Sequence, residues 1–465
     1  MEEITQPSQK LRITNVKGAF AWLGLLVFFS VLNETVFNVA LPDIARQFHV
    51  EPSTANWVNT GFMLSFAIGS FVYGKISDLY GIKKMLMIGI ATYGSGSMLG
   101  LAAHAYLPAV IAARFIQGAG ASATPALVMV MIVRYFDAKS RGRAFGLIGS
   151  LVATGEGIGP VIGGVVAHYV HWSVLFVFPL MTLATIPFFL KVLPDETKRK
   201  GNMDVTGAAM LSVGVVLFTL FTTNEQWMYL AGCLAALVLF ASRMKRASNP
   251  FIEPYLFVRK KFIDGTITGC IILGMVAGFL SMVPYLMRSV HHLSTGMIGA
   301  GIIFPGAMSV MLFGMLGGIL VDKKGHHFVF YIGSLMIIGG FLTIAMLADQ
   351  SPWIVAAMLI FVFGGLSFVK TVISTVVSAA LEEKEAGAGM GMLNFACFLS
   401  EGIGVAIVGG LLSRRLLDFP LLPMVWNAEA DLYSNLLLLF SLVIVAGSVI
   451  YTLAYIGKKA DESKA

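Results

Sequence analysis

The sequence predicts an all-α polytopic membrane protein with fourteen transmembrane helices, arranged as six, then two, then six. The first observation behind this prediction is composition, because 57% of the 465 residues are hydrophobic and only 12% are charged. Charged residues make up about a quarter of an ordinary soluble domain, so this chain could not cover its apolar surface in water. The second observation is that the apolar residues form long runs separated by short basic segments.

Each predicted span is a run of mostly apolar residues long enough to cross the hydrocarbon core, which takes about 20 residues of helix. We expect the first span to be a retained helix rather than a signal peptide, because it contains Asn33 and Glu34 and lacks a small-residue cleavage site. The predicted spans lie near 19–41, 57–78, 84–103, 107–133, 144–169, 172–193, 207–223, 227–242, 263–286, 297–321, 328–348, 352–380, 388–412 and 435–456.

Lysine and arginine set the orientation of these spans. With an even number of spans both termini lie on one side, and most of the 32 basic residues fall there. Only Arg46, Arg288, Arg414 and Arg415 fall on the opposite side. Because cytoplasmic loops are enriched in basic residues, this bias places both termini in the cytoplasm. The net charge of +7 therefore reflects membrane topology and does not point to nucleic acid.

The two ends of the chain resemble each other in sequence. The segment 74–81, Gly-Lys-Ile-Ser-Asp-Leu-Tyr-Gly, is matched at 318–325 by Gly-Ile-Leu-Val-Asp-Lys-Lys-Gly, which shares its two glycines and its aspartate. The tetrapeptide Glu-Gly-Ile-Gly at 156–159 returns unchanged at 401–404. Both pairs keep nearly the same offset, and parallel repeats of six-helix halves are how one large class of secondary transporters is built. We predict an N-terminal six-helix bundle over 1–200, a two-helix central insertion over 201–259, and a C-terminal six-helix bundle with its tail over 260–465.

Three isolated charges lie inside predicted spans, where an ionisable side chain costs about 2.5–3.5 kcal/mol on insertion scales and is a functional-site candidate by default. Glu34 is a candidate for contact with substrate or cation, unless it lies near water and is held by Asn33 or Asn38. Arg114 is a candidate for a proton relay, or for a structural ion pair or bonds to backbone carbonyls. Lys370 could be the counter-ion of a carboxylate, or could extend toward the membrane edge.

Two further glutamates occupy corresponding places in the repeat, Glu156 in the fifth span and Glu401 in the thirteenth. The glycines beside them permit close helix packing, and Pro160 removes a backbone donor and bends its helix. Packing explains the glycines but not the carboxyl groups. Since a carboxyl group in a low-dielectric surrounding can load and release a proton, we predict that both glutamates take part in proton coupling.

The Gly-x-x-x-Asp-x-x-Gly segments point to conformational gating rather than to binding. Each ends a predicted span on the cytoplasmic side, so its aspartate is placed to cap a helix N-terminus or to pair with an arginine. Such a contact can break and re-form as two bundles rock, and the alternative is an ordinary turn aspartate. The candidate gating residues are Gly74, Asp78, Gly81, Pro160, Gly318, Asp322 and Gly325.

Other function classes find no support in the sequence. Cys233, Cys270 and Cys397 lie in apolar segments and give neither a disulfide framework nor a metal-ligand spacing. The histidines show no ligand spacing either, so no metal site and no permanently bound cofactor is predicted. The chain lacks a phosphate-binding Gly-Lys-Ser/Thr motif, which argues against nucleotide-driven transport, and it lacks a nucleophile motif of an enzyme.

Several segments resemble a known family. Residues 74–84 look like the motif between the second and third spans of the major facilitator superfamily. Residues 114–120 resemble the fourth-span motif of its proton-coupled drug exporters, and residues 155–164 are similar to the fifth-span motif of its antiporters. Fourteen spans are typical of its larger drug:proton antiporters. The segments 30–34, 41–45, 114–120, 168–173, 363–374 and 399–402 resemble the tetracycline exporters of the TetK and TetL type.

The resemblance implies a major facilitator fold and a protein of the bacterial cytoplasmic membrane that exports tetracycline, as a complex with Mg²⁺ or a similar divalent metal, in exchange for protons. Some members also exchange Na⁺ or K⁺ for protons. Two alternatives stay open: a multidrug exporter of lipophilic cations, and an antiporter primarily of monovalent cations. Asp204 is singled out by the resemblance alone. The resemblance implies functional roles for Glu34, Asp78, Arg114, Glu156, Asp204, Asp322 and Glu401.

Overall fold

The computed structural model describes residues 16–135, 138–194, 204–224, 226–247, 250–252, 254–382 and 386–455, and every regular element within those ranges is helical. A 3-10 segment (Trp172–Thr185) leads into α8, another (Pro254–Val258) precedes α11, and a π-helical turn (Ile298–Ile303) joins α12 to α13. The α-helices are α1 (Val16–Phe48), α2 (Pro52–Ala55), α3 (Trp57–Tyr80), α4 (Ile82–Ala102), α5 (Leu107–Ala121), α6 (Ala123–Tyr135), α7 (Ala138–Tyr169), α8 (Ile186–Val192), α9 (Val205–Asn224), α10 (Trp227–Arg246), α11 (Lys260–Ser289), α12 (Thr295–Met297), α13 (Phe304–Lys324), α14 (His326–Leu347), α15 (Pro352–Ala379), α16 (Ala386–Arg414) and α17 (Ala428–Tyr455).

Helical segments occupy all fourteen predicted windows. Within the described ranges, eleven helices are long and apolar enough to cross a membrane by length and composition, and the windows 57–78, 107–133 and 144–169 are not among them. The second of these windows divides at Ser122 into α5 and α6, of 15 and 13 residues, so neither piece alone reaches the length of a span. The chain is a multi-pass helical membrane protein, and the count of fourteen crossings stays a prediction.

The helices run between two opposite faces of the molecule. On the terminal face, where α1 begins and α17 ends, the Tyr455 hydroxyl donates to the carbonyl oxygen of Lys261 at 2.5 Å. On the opposite, distal face, the indole Nε1 of Trp172 donates to Oε1 of Gln47 at 2.6 Å, which joins the end of α1 to the 3-10 segment after α7. The distal face therefore corresponds to the predicted outer side of the membrane.

Two groups of helices pack internally and meet along a seam. In the first group α1 packs on α7, and α3 and α4 pack on α5; in the second, α11 packs on α15, α16 and α17, and α14 packs on α15. The groups meet mainly where α3 contacts α16, where α7 contacts the α12–α13 region, and where α1 contacts α11. The predicted boundary at 200 lies outside the described residues, and α11 begins at Lys260, so the three-part division stays a prediction.

The hairpin formed by α9 and α10 lies on this seam. Helix α9 contacts both α3 and α16. The Trp57 indole donates to the Thr223 hydroxyl at 2.9 Å, and Arg414 Nη2 donates to the carbonyl oxygen of Thr222 at 3.0 Å. One end of α9 is thereby bonded to both helix groups.

Two glycines end helices with a backbone that other residues rarely adopt. Gly81 follows α3 and Gly325 follows α13, with φ of 85° and 84° and ψ of 148° and 164°. Each glycine is also the residue from which the next helix starts. This region of backbone space is costly for any residue with a Cβ. The sequence repeat therefore extends to backbone geometry, with equivalent tight turns after α3 and α13.

Replacing Gly325 by alanine is expected to lower the free energy of unfolding by about 1–3 kcal/mol, the cost of holding a non-glycine residue in this region. A Cβ at Gly325 would meet no described atom within 4 Å, so the loss reports backbone strain alone. Gly318→Ala is the matched control, because its Cβ is equally unobstructed but lies inside α13, where alanine is favoured over glycine. Thermal unfolding of the purified protein in detergent compares the two variants, and equal stability would contradict the assignment of strain.

Candidate functional site

A cavity between the two helix groups is lined by five of the predicted site residues, four of them ionisable. Its volume is about 200 Å³. Glu34, Glu156, Lys370 and Glu401 line this cavity, and Pro160, predicted as a gating residue, lies in its wall as well. Most of the other lining residues are apolar, and they include Met63, Leu273, Val276, Leu280, Ile303, Val310, Phe363 and Leu366.

Lys370 on α15 and Glu401 on α16 form an ion pair in the cavity wall. The Lys370 Nζ lies 3.8 Å from Oε1 of Glu401, which is beyond hydrogen-bond distance, so the attraction is Coulombic. The Lys370 side chain is 47% exposed to the cavity side and the Glu401 side chain only 11%. Of the two arrangements predicted for Lys370, the structure shows the counter-ion arrangement.

Glu34 and Glu156 face the same cavity without a direct partner. Neither side chain forms a hydrogen bond or an ion pair with a residue in the described ranges. Asn38, which the alternative interpretation of Glu34 gave as one possible partner, accepts a hydrogen bond from Nδ2 of Asn59. The cavity therefore holds three carboxyl groups against the one ammonium of Lys370, and such an acidic excess favours a cationic ligand.

The glycines that follow the two repeated glutamates let neighbouring helices approach closely. A Cβ at Gly159 would lie 1.8 Å from Oγ1 of Thr35 on α1, and a Cβ at Gly404 would lie 2.0 Å from the carbonyl oxygen of Gly274 on α11. Both distances are far inside van der Waals contact, so the helices can cross at these points only where glycine stands. Each glutamate lies about one helical turn before its glycine. The repeated Glu-Gly-Ile-Gly sequence thus holds a carboxyl group next to a tight helix crossing in each half.

Arg114 is buried outside the cavity wall. Its Nε donates to the carbonyl oxygen of Val58 at 3.0 Å, and its Nη1 donates to Oε1 of Gln117 at 3.0 Å. The guanidinium carbon lies 4.3 Å and 4.2 Å from the ring centroids of Phe37 and Phe62, so two aromatic faces enclose the charge. Within the described ranges Arg114 has no carboxylate partner. The structure shows the expected bonds to a backbone carbonyl, and the proton-relay role stays a prediction.

Asp204 lies at the start of α9, away from the cavity. Its Oδ1 accepts from the backbone N–H of Gly207 at 2.9 Å and pairs with Nε of Arg243 on α10 at 3.1 Å. The carboxylate therefore caps the N-terminus of α9 and joins the two helices of the hairpin. The structure gives Asp204 a local structural role and does not bring it to the glutamates.

The structure describes the side chain of only one of the two predicted gating aspartates. The side chain of Asp78 lies outside the described part of the structure. Asp322 is exposed and forms no ion pair with any residue that the structure describes. The N-cap residues of α4 and α14 are Gly81 and Gly325 themselves, which have no side chain to cap the helix. A latch formed by these aspartates stays a prediction.

The structure adds a cluster on the distal face that the sequence analysis did not single out. Asp43 on α1 accepts hydrogen bonds from Arg288 on α11 and from Thr295 at the start of α12. Arg288 Nη2 also donates to Oγ1 of Thr295 at 2.9 Å. We call Asp43, Arg288 and Thr295 the distal clamp, since they join the two helix groups. The one available sequence signal was that Arg288 is among the few basic residues on the predicted outer side.

Further hydrogen bonds join the groups near the distal clamp. Asn56, between α2 and α3, donates from Nδ2 to the carbonyl oxygen of Val405 at 3.3 Å and accepts from the Tyr285 hydroxyl at 3.2 Å. The backbone N–H of Ser53 donates to Oγ of Ser413 at 2.9 Å. The distal ends of the two groups are therefore held together by a set of polar contacts.

Two packed groups of membrane helices around a charged internal cavity define a membrane transporter, not an enzyme. Residues 23–405 match the family described as the Major Facilitator Superfamily. The chain belongs to this superfamily, and the resemblance predicted at that level is confirmed.

Individual relatives are similar over most of their length. The chain is 26% identical over 410 residues to the multidrug resistance protein Stp of Mycobacterium tuberculosis, covering 84% of this chain and 75% of that protein. It is 27% identical over 414 residues to the riboflavin transporter RibZ of Clostridioides difficile, covering 85% and 89%. The crystal structure of the peptide transporter POT with bound alafosfalin matches with a TM-score of 0.70 at 12% identity, over 96% of both chains, which supports the fold alone.

Arg288→Ala is expected to loosen the distal face. Asp43 is only 12% exposed, and the substitution removes Arg288, the more buried of its two arginine partners. The distance distribution between spin labels at the distal ends of α1 and α11 should then shift to longer distances. Arg46 pairs with the same carboxylate at 3.2 Å, but its side chain is 74% exposed. Arg46→Ala is therefore the matched control and should change little, since an exposed pair contributes about 0–1 kcal/mol. Identical distributions in the two variants would contradict a joining role for the distal clamp.

Proposed function

We propose that the protein is a proton-coupled antiporter that exports tetracycline, complexed with Mg²⁺ or a similar divalent metal, across the bacterial cytoplasmic membrane and thereby gives antibiotic resistance. The observation that carries this proposal is the cavity lined by Glu34, Glu156, Glu401 and Lys370. The proposal includes fourteen spans arranged as six, two and six, with the terminal face in the cytoplasm.

The charge and the lining of the cavity suit such a substrate. When all groups are ionised, Lys370 offsets one of the three carboxylates, and the remainder attracts a cation such as the metal complex of the drug. The apolar wall, with Leu280 and Phe363, offers contact to the fused rings. No group of three or more His, Cys, Asp or Glu side chains among the described residues could hold a metal ion, so in this proposal the metal enters as part of the substrate.

The exchange follows from competition for the same carboxyl groups. The monocationic complex enters the cavity from the cytoplasmic side and displaces protons from Glu401, Glu34 and Glu156. The helix groups then rock about the cavity, the contacts of the distal clamp separate, and the cavity opens on the distal side. Protons from outside reload the carboxyl groups, remove the attraction for the cation and release the drug. Lys370 holds Glu401 in place through the 3.8 Å ion pair until a proton or substrate arrives.

The stoichiometry of this exchange determines its driving force. If two or more protons enter for each monocation that leaves, net positive charge moves inward. Moving one elementary charge through about 100 mV is worth about 2.3 kcal/mol, so the membrane potential would drive export together with the pH gradient.

Drug efflux, as the direction of transport, is supported by the relatives. The multidrug resistance protein Stp and the multidrug transporter MdtP of Bacillus subtilis are 26% and 25% identical to this chain. Their names and the mostly apolar cavity favour a second candidate function, a multidrug exporter of lipophilic cations. Tetracycline as substrate rests on the motif resemblance. An antiporter primarily of Na⁺ or K⁺ would use the same carboxyl groups and is a third candidate.

Inverted membrane vesicles with an imposed proton gradient test the proposal directly. We expect labelled tetracycline to accumulate only when Mg²⁺ or Co²⁺ is present, and to leak out when the gradient is collapsed, because the metal complex is the cation that competes with protons. Uptake of lipophilic dye cations without tetracycline uptake would favour the multidrug exporter. Proton movement on adding Na⁺ or K⁺, without uptake of either drug class, would favour the monovalent-cation antiporter.

Glu401→Gln is expected to abolish gradient-driven uptake, because the amide neither binds a proton reversibly nor attracts the cation. The amount of protein in the membrane should be unchanged, since glutamine has nearly the same shape. Asp418→Asn is the matched control: its carboxylate pairs with Arg415 in the distal loop, away from the cavity, at 2.6 Å. Uptake that survives in Glu401→Gln at the level of Asp418→Asn would remove Glu401 from the coupling mechanism.

A further inference from the structure

Two of the three cysteines lie together across a helix crossing. Cys270 on α11 and Cys397 on α16 lie at corresponding levels where these two helices pack side by side. A Cβ at Gly274, one turn after Cys270, would lie 2.8 Å from the carbonyl oxygen of Ser400, which is about one turn after Cys397. The helices are close at this point, since a Cβ at Gly269 would lie 3.5 Å from Sγ of Cys397. The third cysteine, Cys233, is buried on α10 and belongs to the α9–α10 hairpin.

One of the two thiols, that of Cys397, borders space that a ligand can reach. Cys397 lines a smaller cavity together with Asn394, Lys370 and Glu401, and the last two of these residues also line the central cavity. Cys397 precedes Glu401 by four residues on α16, so the thiol and the carboxyl group share one face of the helix, one turn apart. A ligand in the central cavity therefore has a short path to the Cys397 thiol.

We propose that Cys270 and Cys397 form a binding site for a soft, two-coordinate metal ion, such as Cu(I) or Hg(II), which is reached from the substrate cavity and blocks transport when filled. Thiolates are the protein ligands that select soft metals. Two adjacent thiols supply both ligands of a two-coordinate ion. A tetrahedral zinc site needs three or four ligands, and the described residues contain no such group.

Binding at this site exchanges protons for metal. Each S–H bond loses its proton as an S–metal bond forms, so one bound ion releases two protons and no electron is transferred. An organic arsenical follows the same geometry: phenylarsine oxide condenses with two thiols, forms two S–As bonds and releases one water. Stable capture of this reagent therefore requires two thiols within reach of a single atom.

Occupancy acts on transport through the helices that carry the site. The bound ion ties α11 to α16 and places a bulky group one turn from Glu401 and beside the Lys370–Glu401 ion pair. A substrate cation then meets an altered charge and a narrower cavity. Cys233 lies on another helix, so its modification has no such effect.

The direct test uses intact mass measurement of the full-length purified protein after treatment with phenylarsine oxide and a wash with excess monothiol. We expect one retained adduct per chain and a fall in free thiols from three to one, because a monothiol displaces singly bonded arsenic but not the doubly bonded form. Cys233→Ser is the matched control and should retain the adduct. Cys270→Ser and Cys397→Ser should each lose it, and alanine variants replace any serine variant that fails to fold.

Metal specificity is tested by competition in the same protein. Prior incubation with Hg(II), or with Cu(I) under anaerobic conditions, should prevent adduct formation. An adduct that survives in Cys270→Ser or Cys397→Ser, no adduct in the unmodified chain, or an adduct formed despite both metals would overturn the proposed site.

Transport provides the functional measurement. Phenylarsine oxide should abolish uptake by vesicles carrying the unmodified chain or Cys233→Ser, and a dithiol should restore it. Uptake by Cys397→Ser should resist the reagent, and equal inhibition of that variant would refute blockage through the site. The inference goes beyond the proposed function, and the mass measurement does not depend on it. If the vesicles do not transport tetracycline, the binding result still stands. Inhibition by the reagent is then measured with whichever cation the vesicles do transport.

Discussion

The cost of placing charge inside a membrane is the constraint on which the rest of this structure depends. An ionisable side chain in hydrocarbon costs several kcal/mol, so it persists only where a cavity or an opposite charge receives it. The two helix groups meet so that Glu34, Glu156, Glu401 and Lys370 surround one space. The contacts that shape this space lie at the glycine crossings and along the α3–α16 seam. They therefore also lower the free-energy cost of placing these charges inside the membrane.

Arg114 and Asp204 show two other solutions to the same constraint. The Arg114 guanidinium donates to a carbonyl oxygen and an amide oxygen and lies between two aromatic faces, while its Nη2 has no hydrogen-bond partner among the described residues. Oδ1 of Asp204 is bonded to a helix N-terminus and to Arg243, while Oδ2 is buried without a hydrogen-bond partner among the described residues. Arg114 was predicted for the same reason as the glutamates, as an ionisable group in an apolar span, whereas Asp204 was predicted from the resemblance alone. The contacts of Arg114 and Asp204 come from the N-terminal helices and the α9–α10 hairpin respectively, whereas the glutamates line a cavity between the two helix groups.

A transporter needs contacts that hold and contacts that release, and the structure separates the two by chemistry. The crossings at Gly159 and Gly404 lie within each half and are set by the close approach of two helices, so they are suited to remain fixed. The distal clamp lies between the halves and consists of hydrogen bonds to Asp43 near the membrane surface, where water can replace each partner. Rigid halves joined by exchangeable polar contacts are what rocking about a central cavity requires.

The sequence by itself determined the class of protein, the position of the helices, the internal repeat and the set of buried charges. These properties are local, because hydropathy and residue type are read along one helix at a time. Only the tertiary structure decided that Glu34, Glu156, Lys370 and Glu401 share a cavity while Arg114 and Asp204 do not. It also revealed the distal clamp and the placement of Cys270 and Cys397 at corresponding levels of α11 and α16, with the members of each set on different helices. A linear pattern carries no distance between such residues, because that distance is set by how the helices pack.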